Sequence, residues 1–253
     1  MRARRRQKVV DSLSFDQIGE RFPAMNHPSS TSVGFEDDCP LFHDLSREER
    51  EQLASISRLK TLSPQQYLCR QNAPSDWVFN IASGTGLIER LSSTGRRQVL
   101  AFIFPGDFAG LNNSSQFEYG IKALTDMSAY EFPREKLYTL SEDLPHLKAN
   151  MRSIGALVQA LTFDQLYLLG QKKAHERLCF FCIHMLERMP GATPEGINLA
   201  MSRQDIADFL GMTVETVSRS MAKLKQDGIV ATPAPQTIRI LDLEQMQDLA
   251  DIH

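Results

Sequence analysis

Residues 201–230 read MSRQDIADFLGMTVETVSRSMAKLKQDGIV, and this stretch constrains the fold more than any other. Ser202 stands where a helix N-cap belongs, and Asp205, three residues on, completes a capping box. Ile206, Ala207 and Leu210 then fall on one inward face. Gly211 interrupts the pattern where a helix end calls for a left-handed residue. Thr213 caps a second helix whose Val217, Met221 and Leu224 recur at i, i+4 and i+7. Two short helices joined by a tight glycine-containing turn predict a helix-turn-helix. DGIVATPAPQTIRIL follows as strand, turn and strand, so residues 171–253 read as a winged helix-turn-helix.

The outward face of the second helix carries chemistry suited to double-stranded DNA. Glu215, Ser218 and Arg219 fall at i, i+3 and i+4, on one face of its first two turns. In such a motif those turns enter the major groove. An arginine grips guanine O6 and N7 with two hydrogen bonds, a carboxylate accepts from the cytosine amine, and a hydroxyl serves several bases. A carboxylate facing DNA repels phosphate, so Glu215 makes sense there as a base reader or as the group that orients Arg219. Around this trio, Ser202, Arg203, Thr213, Thr216, Lys223, Lys225 and Arg239 are the candidates for backbone phosphate. The competing reading is a solvated helix face with an i,i+4 ion pair. The formal net charge is −3, so any positive field that attracts phosphate must be local.

Upstream, the apolar pattern changes twice. From about Lys60 to Pro133, short β-rich runs (YLCR, WVFNIA, GLIERL, QVLAFIF, KALT, AYEFP) alternate with turn residues, which predicts a small antiparallel barrel or sandwich within 39–142. Gly95 is placed to turn one hairpin, and SREEREQLASIS before the barrel reads as a helix capped by Ser46 with Glu49. Over 143–170, Leu147, Met151, Ile154, Val158, Leu161 and Leu168 step by three and four, interrupted only at Gln165, a coiled-coil-like stripe that predicts dimerisation through this helix. Ala156, Ala160, Phe163 and Leu166 make the opposite face partly apolar as well, so one stripe packs on the barrel and the other on a partner. Gly170 is the expected hinge between this helix and the next, an amphipathic helix over 173–189. Residues 1–38 read as a loosely ordered lead-in whose basic start, MRARRRQK, is a solvated tail able to meet phosphate. That start has no apolar core of a secretory signal, and no run reaches the roughly 20 apolar residues of a membrane span. A cytoplasmic homodimer without a membrane segment is expected.

Taken in order, these features resemble the CRP/FNR family of bacterial regulators from about Cys39 to Leu249. The resemblance rests on Ile81-Ala-Ser-Gly84, Gly95 and Pro105-Gly106-Asp107 in the barrel. It rests most on Val214-Glu-Thr-Val-Ser-Arg219, which matches the FNR and FixK branch. It implies an α+β chain: a cyclic-nucleotide-binding-like antiparallel β-barrel (jelly roll), a long dimer helix and a C-terminal winged helix-turn-helix. It also implies a TTGA-N6-TCAA-like palindrome read by Glu215, Ser218 and Arg219, and an activator role that engages RNA polymerase in anaerobic, nitrogen-oxide or redox-responsive control.

The resemblance does not name a signal. Cyclic-nucleotide binders of the family place an Arg-Ser pair in the phosphate cassette, whereas this chain has Phe117-Glu-Tyr-Gly-Ile121. A phosphate buried there would lack a cationic partner, which argues against cyclic AMP. A 4Fe–4S cluster needs four thiolates, but only Cys39 lies near the N-terminal stretch, and Tyr130 stands where the barrel cysteine would fall. Cys179 and Cys182 spell C-F-F-C near His184 and read as buried structural thiols, with no metal site expected. No GxSxG, P-loop or HExxH occurs, so the chain reads as a non-enzyme. The alternative class is a small-molecule sensor acting through a protein partner.

Overall fold

The structure is a computed structural model; it describes residues 39–111 and 114–251. The expected lead-in and its basic tail, 1–38, lie outside the described residues. A 3₁₀ turn at Pro40–Phe42 leads into α1, Arg47–Ile56. Ser46 caps α1 and Glu49 reaches back to the Ser46 N–H at 2.6 Å, so the capping box is present.

Eight strands then form two facing antiparallel sheets. They are β1 (Arg58–Leu62), β2 (Tyr67–Cys69), β3 (Trp77–Ser83), β4 (Gly86–Leu91), β5 (Arg97–Ile103), β6 (Phe108–Ala109), β7 (Gly120–Ala123) and β8 (Met127–Pro133). One sheet has the order β1-β8-β3-β6 and the other β2-β7-β4-β5. Phe79, Ile81, Ile103, Phe117, Ile121 and Met127 fill the space between them. β3 is buried on both faces: Phe79 and Ile81 point between the sheets, while Val78 packs outward on Phe42 and Leu147. That double cover explains its near-continuous apolar run. The β4–β5 hairpin turns at Gly95, whose φ of 78° a residue with Cβ rarely adopts.

Two helices follow, α2 (Arg134–Asp143) and the 27-residue α3 (Pro145–Gln171). Part of the expected dimer seam is already covered within one chain. Leu147 and Ile154 are buried among Leu41, Phe42, Leu53, Phe132 and Leu137 of their own chain, and Leu168 lies in the core beneath the C-terminal unit. Asn150 reinforces this docking by donating to the Leu41 and His43 carbonyls at 3.0 and 2.7 Å. All three side chains are thus buried by their own chain. Met151 and Leu161 are partly exposed, and the outward face carries Val158, Phe163, Leu166 and Tyr167, each 49–62% exposed. Gly170 is not a break in the helix; the chain leaves helical geometry at Lys172.

α4 (Ala174–Arg188) is buried on every side from Leu178 to Met185, not along one face, because it is sandwiched between the barrel and the C-terminal helices. α5 (Arg203–Leu210), α6 (Val214–Gln226) and α7 (Leu243–Ala250) pack on it. β9 (Ile197–Asn198), β10 (Val230–Ala234) and β11 (Thr237–Ile240) form the antiparallel wing, order β10-β11-β9. One apolar core joins barrel and C-terminal unit: Leu87, Val99, Phe102 and Phe104 share it with Phe181, Phe209 and Leu210. No described helix is long and apolar enough to cross a membrane.

Candidate nucleic-acid interface

Local hydrogen bonds dictate the geometry of the two C-terminal helices. The Ser202 hydroxyl accepts from the Asp205 N–H at 3.1 Å, and the Asp205 carboxylate accepts from the Ser202 N–H at 2.9 Å. Gly211 ends α5 at φ 62° and ψ 40°. A Cβ there would also stand 3.1 Å from Leu169 Cδ2 of α3, so both conformation and space favour glycine. Thr213 then caps α6, its hydroxyl accepting from the Thr216 N–H at 3.2 Å. Val217, Ser220, Met221 and Leu224 anchor the inner face of α6. With that face fixed, Glu215, Ser218 and Arg219 are turned to solvent together, in the first two turns.

Glu215 is fully exposed, and its own backbone N–H, the Thr213 hydroxyl and the Arg219 charge hold its carboxyl below the ordinary range. It is therefore an acceptor at neutral pH, at the positive end of the helix dipole.

The candidate phosphate contacts are more dispersed. Ser202, Thr213, Lys223, Lys225 and Arg239 are exposed, and Arg203 and Thr216 are half-buried. Several cations already have partners. Lys223 pairs with Asp227 at 2.9 Å, Lys225 donates to the Thr232 hydroxyl at 2.9 Å, and Arg239 donates to the Glu195 carbonyl at 3.2 Å. Arg203 leans on the wing turn through the Pro235 carbonyl, at 3.4 Å.

Sequence reasoning missed the polar contacts that seat α5. Arg97 of β5 donates to Glu89 at 2.6 Å, to Asp205 at 2.8 Å and to Asp208 at 2.9 Å. Burial pushes the Asp205 carboxyl up, but its bonds to Ser202 and Arg97 outweigh this and hold it below the ordinary range. Glu89 behaves alike: burial is outweighed by Tyr67, Arg97 and Lys122. Tyr67, in turn, lines a cleft of about 650 Å³ between β1 and β2. The only signal for these contacts was a run of charged residues at strand positions.

The barrel does not fit a cyclic nucleotide. Asp107 of the Gly106-Asp107 turn is held by Arg188 at 2.5 Å and the Phe104 N–H at 2.8 Å. Phe117 fills the barrel interior against Phe79, and Arg134 donates to the Gly110 carbonyl. Nor do the thiols converge on a four-cysteine cluster within one chain: Cys39, Cys69 and the Cys179–Cys182 pair sit in three separate cores. Burial pushes Cys39, Cys69 and Cys179 up to about 12, which keeps them as thiols.

Comparison with known proteins agrees with this architecture. Residues 59–143 match the cyclic nucleotide-binding domain and residues 176–249 the Crp-like helix-turn-helix domain. The chain is 29% identical to the transcriptional activatory protein AadR of Rhodopseudomonas palustris, over 90% of this chain and 99% of that one. It is 32% identical to the nitrogen fixation regulation protein FixK of Rhizobium meliloti, over 76% and 86%. It is 31% identical to the transcriptional activator protein anr of Pseudomonas aeruginosa, over 81% and 86%. The structure of FixK2 from Bradyrhizobium japonicum superposes with a TM-score of 0.72 at 28% identity, covering 77% of this chain and 97% of that one. With its barrel, long helix and winged reading unit in this order, the chain belongs to the CRP/FNR family of transcription regulators.

Proposed function

We propose that two copies of this chain pair along α3 and read a TTGA-N6-TCAA-like palindrome through Glu215, Ser218 and Arg219, activating transcription through contacts with RNA polymerase. The observation that carries this reading is the exposure of those three side chains on one face of α6, with the opposite face locked into the core. Pairing is supported by Val158, Phe163 and Leu166 on the outward side of α3, which single-chain packing leaves in water. The relatives named as activators support activation; anaerobic, nitrogen-oxide or redox-responsive control follows from the likeness of Val214–Arg219 to the FNR and FixK branch. Ser202, Arg203, Thr213, Thr216, Lys223, Lys225 and Arg239 surround the reading helix as phosphate contacts.

Fluorescence anisotropy on the palindromic duplex, at two salt concentrations, tests the reading. Tight binding that is lost when TTGA and TCAA are scrambled supports it. Equal affinity for both duplexes, falling in parallel with salt, removes it.

A further inference from the structure

Helix α5 makes no base contact in the reading above, yet side chains from three other elements hold it. Along its length, Arg97 of the barrel bonds Asp205 and Asp208 at 2.8 and 2.9 Å, with Glu89 on its far side. Beside it, Gln98 donates to the Asp208 and Phe209 carbonyls. From α3, Gln165 donates to the Phe209 carbonyl at 2.8 Å. At the C-terminal end, Arg177 of α4 donates to Leu210 of α5 and also to Leu169 and Lys172 at the end of α3, each at 2.9 Å. One guanidinium thus caps two helix ends, where the dipole favours a cation. Phe102 of β5 packs against Phe209 with the rings tilted, centroids 5.1 Å apart, and closes the joint with apolar contact.

We infer that Arg97 and Arg177 are positioning residues that set where the reading helix stands relative to α3, and so which half-site spacing the protein accepts. The DNA arm of this inference rests on the base-reading assignment above. α6 follows α5 after a three-residue turn, so a fixed α5 fixes α6. Arg97 ties α5 to the barrel, and Arg177 ties it to the end of α3. Because α3 carries the proposed dimer face, the same ties fix the separation of two reading heads. A duplex with one base pair more or less between half-sites moves the second groove along and around the helix axis, and rigid heads reject it. Loosened heads follow it.

The test compares wild type with Arg97→Gln, Arg177→Gln and the milder Asp208→Asn. Asp208→Asn leaves the Ser202–Asp205 cap and the Arg97–Glu89 pair in place should the arginine variants fail to fold. Affinities are measured on palindromes with spacers of N5, N6 and N7. Wild type should prefer one spacer, and each variant should lose that preference by about fivefold or more while keeping its order of preference among half-site bases. In parallel, spin labels on Ser93→Cys and Gln226→Cys, diluted with unlabelled protein, report the barrel-to-reading-helix distance without DNA. The four native thiols are buried, which directs labelling to the introduced ones. The distance distribution should be narrow in wild type and broad in the variants. Folded variants with unchanged spacer preference and an unchanged narrow distance would overturn the inference. If wild type binds no palindrome, the base-reading assignment fails, and the distance measurement still decides whether these arginines position the head.

Discussion

Arg97 Nη1 lies 2.8 Å from Asp205 Oδ1, so a barrel strand grips the same carboxylate that closes the capping box of the first reading-unit helix. Local helix chemistry and long-range docking therefore converge on a single side chain. Replacing Arg97 by Ala leaves Glu89, Asp205 and Asp208 close together, with Lys122 at 3.5 Å from Glu89 as its remaining cation. Removing one member of such a partly buried network is expected to cost about 2–4 kcal/mol. Urea denaturation checks this, and a loss below about 1 kcal/mol would show that solvent already screens the network.

Acid should weaken the fold in a window that belongs to His184. Its ring is stacked between Phe180 and Phe209, and burial, aided by the Arg188 charge, pushes its pKa down to about 3. The unfolded imidazole protonates near about 6.5. Between those values the unfolded chain holds the extra proton, so stability is full above about 6.5 and falls as pH drops towards 3. His184→Phe keeps the stack and should flatten that slope in urea midpoints measured across the window. An identical slope in the variant would assign the acid lability elsewhere.

The two faces of α3 should separate cleanly under mutation. Leu147→Ala opens a cavity inside one chain and is expected to cost about 2–5 kcal/mol of stability with no change in oligomeric state. Leu166→Glu places a charge on the outward face and should produce monomers with a nearly unchanged denaturation curve. Sedimentation of both variants reads the difference. A monomeric Leu147→Ala protein with wild-type stability would restore the seam expected from the heptad pattern.

On DNA, Arg219→Ala should cost about 1–3 kcal/mol and relax base preference at one position of each half-site. Lys223→Ala should weaken all duplexes alike and flatten the salt slope. Because Lys223 is paired with Asp227, Asp227→Asn should release it and strengthen binding to unrelated duplex. Titrations at several salt concentrations check all three. Equal loss of base preference in the Arg219 and Lys223 variants would contradict their assigned roles.

What the sequence disclosed was whatever is encoded within three or four residues. The Ser46–Glu49, Ser202–Asp205 and Thr213–Thr216 caps are all local, and each is in place. The strand β1 escaped notice because RLKTL is mostly charged or exposed; Arg58 and Lys60 share an ion-pair partner, Glu131 on β8, over 70 residues away. The stripe of α3 was visible as a helix, but periodicity cannot tell an internal neighbour from an external one. Leu147 meets Phe42 through a fold that brings the chain back on itself. Arg97 and Arg177 were invisible for the same reason, since their acceptors on α5 lie more than 100 and more than 30 residues downstream, respectively.

The shared seat of α5 also bears on how portable the reading head is. A transplant of residues 214–226 into a related scaffold carries the base readers alone and inherits the host's docking. A transplant of the whole C-terminal unit carries Asp205, Asp208 and Leu210 into a host that must present its own arginine and glutamines to meet them. Specificity is thus exchangeable in one short helix, whereas geometry is a property of the junction and travels only with both of its sides.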